Sequence, residues 1–388
     1  MTRPQSRAAV AAFPWFRLAL LFAVWGGLFV YAGRPLLVTA RVAGIAPTLA
    51  WASLAVLSIL PMLPLLTRQQ GSLLQRNLLH RLGYFTLSLF AMLLVAVVAT
   101  DLVRFVVAVA GLLMTVPLPS LNVALLSLAA LGGAAFLTAV GAAQAHCPAT
   151  RRVTIHVDEL PAELDGYTIV QWSDVHLGPS IRRRFMQTLV DRTNALEPDA
   201  VAITGDFIDA SFDDVRDQLE TMRDLRTRDG VFYVTGNHEY YWNAPAWVHS
   251  LEELGIRHLQ NAHDVVLRGD ARLVFAGVTD PVGRGTHRQN VPGALQDAPA
   301  DAIKVLLSHR PQMAEAASRH GVHLQLSGHT HGGQFFPFNL VIRWFQPIVA
   351  GLHRIGRTWL YVSRGTGFWG PPSRLGVGAE LTVLELRR

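Results

Sequence analysis

The chain has 388 residues, 51% of them apolar and only 16% charged, a balance too apolar for an ordinary soluble protein. Its net charge of +6 is unevenly spread: residues 1–150 hold nine arginines against one acid, Asp101, a net +8, while residues 151–388 hold 25 basic and 27 acidic side chains, a net −2. The positive charge therefore flanks apolar runs, which disfavours generic nucleic-acid binding, and the single cysteine, Cys147, excludes an intrachain disulfide and a thiolate zinc cluster.

Four apolar runs come first: Phe13 to Ala32, Ile45 to Leu66, Tyr84 to Thr100 and Leu121 to Ala143. Each is near the roughly 17–25 residues that a helix needs to cross a bilayer. The first has no small-residue cleavage site and is followed by further spans, so it reads as a retained anchor. Phe105 to Val116 is a shorter apolar stretch that extends the third helix, lies at the interface, or completes a fifth crossing. With four spans and the N-terminus inside, eight arginines fall on the inner side and three (Arg34, Arg41 and Arg104) on the outer side. That bias predicts a multi-pass protein of the inner cell membrane with its soluble part in the cytoplasm. Asp101 and Arg104, three apart, read as a pair at a helix end.

After Pro148 the pattern changes to short β-branched runs alternating with helical stretches. Strands are predicted at Val153 to Val157, Thr168 to Trp172, Val201 to Thr204, Val231 to Thr235, Leu273 to Val278, Ile303 to Leu307, Leu324 to Leu326, Trp359 to Val362 and Leu381 to Leu386. Helices are predicted at Ile181 to Leu196, Asp213 to Arg226, Ala244 to Leu254 and Gln312 to His320. This is an α/β pattern of buried strands with helices outside. The domains are therefore a transmembrane helical region over 1–147 and an α/β domain over 148–388.

Five polar clusters follow strands in order. They are Ser173-Asp174-Val175-His176, Gly205-Asp206-Phe207-Ile208-Asp209, Gly236-Asn237-His238-Glu239, Ser308-His309 and Gly328-His329-Thr330-His331-Gly332-Gly333-Gln334. In α/β sheets, functional groups gather beyond the carboxyl ends of strands. Asp174 and His176, two apart, point the same way from an extended strand end, and His329 and His331 repeat that spacing. Asp174, His176, Asp206, Asn237, His309, His329 and His331 make a donor set of two carboxylates, one amide oxygen and four imidazoles. Such a mixed set suits Mn²⁺, Fe²⁺ or Zn²⁺ better than Mg²⁺ or Ca²⁺. Seven donors exceed one tetrahedral site, and a bridging carboxylate would serve two divalent ions.

These residues carry the pattern D-x-H, G-D-x-x-D, G-N-H-[DE], a lone H and G-H-x-H, and the chain over about 165–385 resembles the calcineurin-like metallophosphoesterase superfamily. The last motif, G-H-T-H-G-G-Q, is most similar to that of the bacterial membrane-anchored branch. The resemblance implies a four-layer sandwich, two β-sheets flanked by helices, preceded here by an all-α bundle of about four transmembrane helices. It also implies that Asp174, His176 and His331 hold one metal, that Asp206 bridges, and that Asn237, His309 and His329 hold the other. His238 would give a proton to the leaving oxygen, oriented by Asp209.

Asp209 is followed by Ala210 and Ser211, and Gly236 is preceded by Val234 and Thr235, which departs from the protein serine/threonine phosphatases of the superfamily. The apolar stretch from Phe335 to Leu352, with Phe336 and Trp344, reads as a lipid-facing lip, and Arg343, Arg364 and Arg374 as holders of phosphate oxygens. The expected reaction is hydrolysis of a phosphodiester or pyrophosphate on a lipid or lipid-linked nucleotide. By analogy with neighbouring branches, a UDP-2,3-diacylglucosamine of lipid A synthesis is one such substrate. The alternatives are a broad phosphodiesterase or phosphomonoesterase on soluble substrates, and a membrane sensor or scaffold that no longer turns over.

Overall fold

A computed structural model describes residues 15–67, 73–114 and 121–388. Arg3, Arg7, Phe13, Arg68 and residues 115–119, which enter the span and orientation readings, lie outside the described residues. Among the described residues, four helices are long and apolar enough to cross a membrane: Trp15–Val42, Pro47–Leu66, Gln75–Met114 and Val123–His146. Phe105 adds no separate crossing, because it sits within the continuous helix Leu73–Met114.

The chain divides into two compact units, Met1–Met62 with Leu89–Ala135, and Leu63–Ser88 with Phe136–Arg388. In the first, Phe29 stacks on Phe90 at 3.8 Å between ring centroids, and the Trp25 indole donates to the Ser58 carbonyl at 3.1 Å. Asp101 lies 3.8 Å from Arg104, but its shorter contacts reach the first helix, to Arg34 at 2.5 Å and Tyr31 at 2.8 Å. Sequence spacing had suggested only the Arg104 partner.

The helix Leu73–Met114 has 42 residues, about 63 Å at ~1.5 Å per residue, roughly twice the hydrocarbon thickness. Its first turns, to Ser88, fall in the second unit. There Arg76 pairs with Asp214 at 2.6 Å and Arg81 donates to the Pro179 carbonyl at 2.8 Å.

The second unit is built on twelve strands: β1 Ala149–His156, β2 Thr168–Trp172, β3 Ala200–Thr204, β4 Gly230–Val234, β5 Ile256–His258, β6 Ala262–Arg268, β7 Ala271–Val278, β8 Ile303–Ser308, β9 Leu324–Ser327, β10 Gly351–Ile355, β11 Thr358–Val362 and β12 Glu380–Arg387. They form two six-stranded sheets, ordered β1-β12-β2-β3-β4-β5 and β10-β11-β9-β8-β7-β6. Ile169, Ala202, Phe232 and Val234 from one sheet meet Leu273, Phe275, Leu307 and Leu326 from the other in a buried core. Met186, Leu189, Val215 and Trp247 cover the outer face of the first sheet, and Val291, Ala294 and Ala317 cover that of the second. The four layers are thus helix, sheet, sheet, helix.

Three strands escaped the periodicity reading, and all three are sheet edges: β5, β6 and β10. Ile256-Arg257-His258 and Gly351-Leu352-His353-Arg354-Ile355 are short and charged, as edges that face water must be.

Candidate metal centre

β2, β3 and β4 are neighbouring parallel strands, as are β8 and β9, and the five polar clusters leave their carboxyl ends. Trp172 leads into Asp174, Thr204 into Asp206, Val234 into Asn237, Ser308 into His309 and Ser327 into His329. The sheet topology therefore delivers seven donors from five separate segments to one edge.

Three groups of donor atoms lie within 4.8 Å of one another: Asp174, His176 and His331; His176, Asp206 and His238; and Asp206, His309 and His329. Asp206 belongs to two of them. Its Oδ2 is 3.2 Å from His309 Nε2 and 3.9 Å from His176 Nε2. His331 Nε2 is 3.4 Å from Asp174 Oδ1 and 3.0 Å from His176 Nε2. His309 Nδ1 faces the Thr204 carbonyl at 2.9 Å and so must donate to it, leaving Nε2 turned toward Asp206 and His329.

The backbone is strained where these side chains converge. Asp174, His176, Asp206, His329 and His331 all have positive φ, between 48° and 73°. Left-handed conformations of non-glycine residues each cost energy and persist where the surroundings enforce them. Gly205 cannot be replaced at low cost, since a Cβ there would come within 2.7 Å of both the Gly236 nitrogen and His309 Nδ1. Gly236 is equally constrained, because its Cβ would strike the Asp206 carboxylate.

A cation fits this donor set. Asn237 Oδ1 is buried with no hydrogen-bond partner among the described residues, an arrangement that a cation relieves. Burial brings the pKa of His176 and His329 down to about 3 and holds His331 well below its usual value, so these three imidazoles stay neutral, the form that binds metal. For His309, burial is outweighed by the Asp206 charge and hydrogen bond, which raise it to about 10 and would yield to a bound cation. Burial alone would raise Asp206, but the His309 charge and hydrogen bond hold it well below the carboxylate range.

His238 stands at the margin of this cluster. Its Nδ1 is 3.0 Å from Asp209 Oδ1, and the Trp242 indole donates to that same oxygen at 2.9 Å. Burial lowers the His238 pKa, yet the Asp209 hydrogen bond and the charges of Asp206, Asp209 and Glu239 outweigh it and raise the pKa overall. Its Nε2 points inward, 4.0 Å from Asp206 Oδ2.

Two residues of the motifs have tasks that the sequence reading did not assign. Glu239, wholly buried, accepts the main-chain N–H groups of Gly236 at 2.6 Å, Phe207 at 2.7 Å and Asp206 at 3.1 Å. It thereby ties the Asp206 loop to the Asn237 loop. The Gln334 amide clamps the Trp369 backbone, accepting from its N–H at 3.0 Å and donating to its carbonyl at 2.8 Å, and the Trp369 ring lies edge-on to His238 at 5.8 Å. The sequence signal available for Glu239 was its place as the acid that ends the G-N-H-[DE] motif.

A cleft of about 500 Å³ opens beside His176, Asn237 and His238. It is lined by Tyr241, Trp242 and Trp369, and by Arg76, Asn77 and Tyr84 from the first turns of the Leu73–Met114 helix. The residues expected to bind substrate do not line it. Arg374 is completely buried; it donates to the carbonyls of His331 at 2.9 Å, Arg364 and Gly367, so its guanidinium braces His331 from behind. Arg343 and Arg364 line a separate hollow of about 340 Å³ beside Gly332. Phe336 and Trp344 are exposed, at 36% and 82%, on a surface that also shows Phe338, Leu340 and Phe345.

The sequence profile described as calcineurin-like phosphoesterase matches residues 167–333. A transmembrane protein with metallophosphoesterase domain from Danio rerio is 35% identical over 247 residues, covering 61% of this chain and 56% of that protein. An uncharacterized metallophosphoesterase of Campylobacter jejuni is 33% identical over 247 residues, covering 62% of this chain and 63% of that protein. The chain thus spans somewhat more than half the length of these relatives. Among solved structures, a 5'-nucleotidase precursor from Thermus thermophilus aligns with 53% of this chain and 49% of its own, at 20% identity and a TM-score of 0.37. The pattern of motifs, the double sheet that gathers them and the profile match agree: residues 167–333 form a domain that matches the calcineurin-like phosphoesterase family.

Proposed function

We propose that the chain is a membrane-anchored, metal-dependent phosphoesterase, with 1–147 as the membrane region and 148–388 as the catalytic domain on the cytoplasmic side of the inner membrane. The observation that carries the reading is the convergence of six of the seven donors in overlapping groups linked through His176 and Asp206, with the His238–Asp209 pair at the margin and a cleft beside it.

Asp174, His176, Asp206 and His331 would hold one divalent ion, and Asp206, Asn237, His309 and His329 a second; Mn²⁺, Fe²⁺ and Zn²⁺ suit the donors. Such ions supply neutralisation of the phosphoryl oxygens and a more acidic water. The protein's own part is to position and to protonate. Asp209 fixes the His238 ring through Nδ1, its charge favours the imidazolium, and Nε2 is left to give a proton to the departing oxygen. Glu239 and Arg374 keep the Asp206 and His331 loops in place by main-chain hydrogen bonds.

The surroundings support a substrate class. The cleft has aromatic walls and shares the first turns of a helix that continues as a candidate span. The neighbouring surface exposes Phe336, Phe338, Trp344 and Phe345. These features favour a phosphodiester or pyrophosphate on a lipid or lipid-linked nucleotide, such as UDP-2,3-diacylglucosamine, over a soluble ester. Turnover by the purified full-length protein with Mn²⁺ tests this on that UDP-lipid, bis-p-nitrophenyl phosphate and p-nitrophenyl phosphate. Cleavage of all diesters that disappears in Asp206→Asn supports the phosphoesterase reading, and a higher kcat/KM on the UDP-lipid supports the lipid class. Turnover of soluble diesters alone would leave a soluble-substrate phosphodiesterase, and none on any substrate with metal bound would favour a sensor.

A further inference from the structure

A second hollow, of about 610 Å³, lies in the same unit, and none of its lining residues is a metal donor. Four arginines line it, Arg81, Arg182, Arg184 and Arg192, together with His146, and no Asp or Glu does. These side chains come from separate places in the chain: the first turns of the Leu73–Met114 helix, the start and the end of the Arg183–Asn194 helix, and the last residue of the Val123–His146 helix. Their convergence is therefore tertiary, not a basic run.

The hydrogen bonds of Arg81 and Arg192 go to neutral oxygens. Arg81 donates to the Pro179 carbonyl at 2.8 Å, and Arg192 to the Pro148 carbonyl at 2.6 Å and the Thr150 hydroxyl at 2.8 Å. Guanidinium groups stay charged at all relevant pH, so four of them around one hollow repel unless an anion sits among them. Each also offers the planar fork that suits phosphate oxygens.

The rest of the lining is not what a free phosphate needs. Phe85, Phe185, Leu189 and Phe368 belong to it, an apolar surface that gains from acyl or glyceryl carbon and gives nothing to an inorganic ion. The helices that bring Arg81, Phe85 and His146 both run on as candidate spans, and arginines at the ends of spans lie where headgroups do.

We propose that this hollow is a headgroup site for an anionic phospholipid, whose phosphate is held by Arg81, Arg182 and Arg184 and whose first carbons rest on Phe85 and Phe185. The site is separate from the phosphoesterase reading and stands without it. Ser180 and Phe368 line both this hollow and the catalytic cleft, so a lipid bound here abuts the cleft wall.

The test uses full-length protein in phosphatidylcholine nanodiscs carrying phosphatidylglycerol as the probe, with bound lipid counted by native mass spectrometry. The wild type is expected to retain phosphatidylglycerol over phosphatidylcholine. Arg182→Gln with Arg184→Gln should weaken phosphatidylglycerol binding at least tenfold, leave phosphatidylcholine unchanged and leave bis-p-nitrophenyl phosphate turnover in pure phosphatidylcholine intact. Arg182→Lys with Arg184→Lys should lose less. Should the glutamine pair melt at a lower temperature, Thr188→Trp fills the same hollow from an exposed position and must give the same loss. Equal retention of both lipids, or glutamine and Thr188→Trp variants that bind like wild type, overturns the proposal. So does competition by glycerol 3-phosphate as strong as by the lipid, which would mark a site for a free phosphate ester.

Discussion

Glu239 Oε1 accepts the main-chain N–H of Phe207 at 2.7 Å, so the residue after a histidine on one loop holds open the turn that carries Asp206 on another. Burial and the Asp206 charge raise the Glu239 pKa to about 7, and the main-chain donors of three neighbouring residues offset that burial.

Removing this carboxylate strands those donors. Each buried N–H left without an acceptor costs about 1–3 kcal/mol, so Glu239→Ala should lower the melting temperature clearly and lose metal with it. Glu239→Gln, which keeps one acceptor oxygen, should fall between. Elemental analysis beside calorimetry checks both, and full metal content in Glu239→Ala would remove the positioning role.

The His238–Asp209 pair makes a prediction about leaving groups. His238→Ala should keep its metals and lose about 10²–10⁴-fold in rate on alkyl esters, and less on p-nitrophenyl esters, whose leaving group needs no proton. Asp209→Asn keeps the ring in place but removes the charge that favours the imidazolium, so the fall in rate with rising pH should begin at lower pH. Equal losses on both ester classes would indicate that His238 positions phosphate instead.

His258 gives a stability prediction remote from the cluster. On edge strand β5, beside the Tyr233 ring at 5.5 Å, it is pushed by burial, and then by the His287 charge, down to about 4. The unfolded chain takes up this proton near pH 6.5 and the folded chain only near 4, so stability is complete above about 6.5 and falls as pH drops toward 4. The loss is on the order of 3 kcal/mol. His258→Phe should flatten this part of the melting-temperature profile, and an unchanged acid slope in the variant would refute the assignment.

Phe336 and Trp344 are exposed at 36% and 82%, so replacing both with Ser should shift stability by no more than about 0.5 kcal/mol. Their burial in a lipid surface is worth about 1.5–3 kcal/mol each. The measurement is KM of the full chain on a lipid-linked substrate, expected to rise at least tenfold with bis-p-nitrophenyl phosphate unaffected. A lower melting temperature with parallel losses would make the surface ordinary packing.

Orientation is tested by labelling. Arg319→Cys, on an exposed helix position, in a Cys147→Ser background, should resist an impermeant thiol reagent in intact cells and react after lysis. Labelling of intact cells would place the domain on the opposite face and remove the cytoplasmic UDP-lipid.

What could be read in the residues alone was whatever repeats locally or sits beside a strand end. Apolar runs long enough to cross a bilayer announce themselves by length, and buried parallel strands by continuous β-branched runs. Thus β2, β3, β4, β8 and β9 and the polar cluster after each were legible, because parallel strands put their loops at one edge whatever the order of the sheet. The edge strands β5, β6 and β10 were not, since half of each faces water and its composition resembles a loop. Nor could spacing show that Arg374 turns inward to brace His331, or that Arg343 and Arg364 line another hollow. An arginine looks the same in sequence whether it meets solvent, phosphate or a carbonyl. The convergence of Arg81, Arg182, Arg184 and Arg192 likewise exists only once distant segments are packed together. Motif chemistry is local and survives in one dimension, whereas side-chain direction and the lining of hollows depend on contacts between segments far apart in the chain, which tertiary structure alone decides.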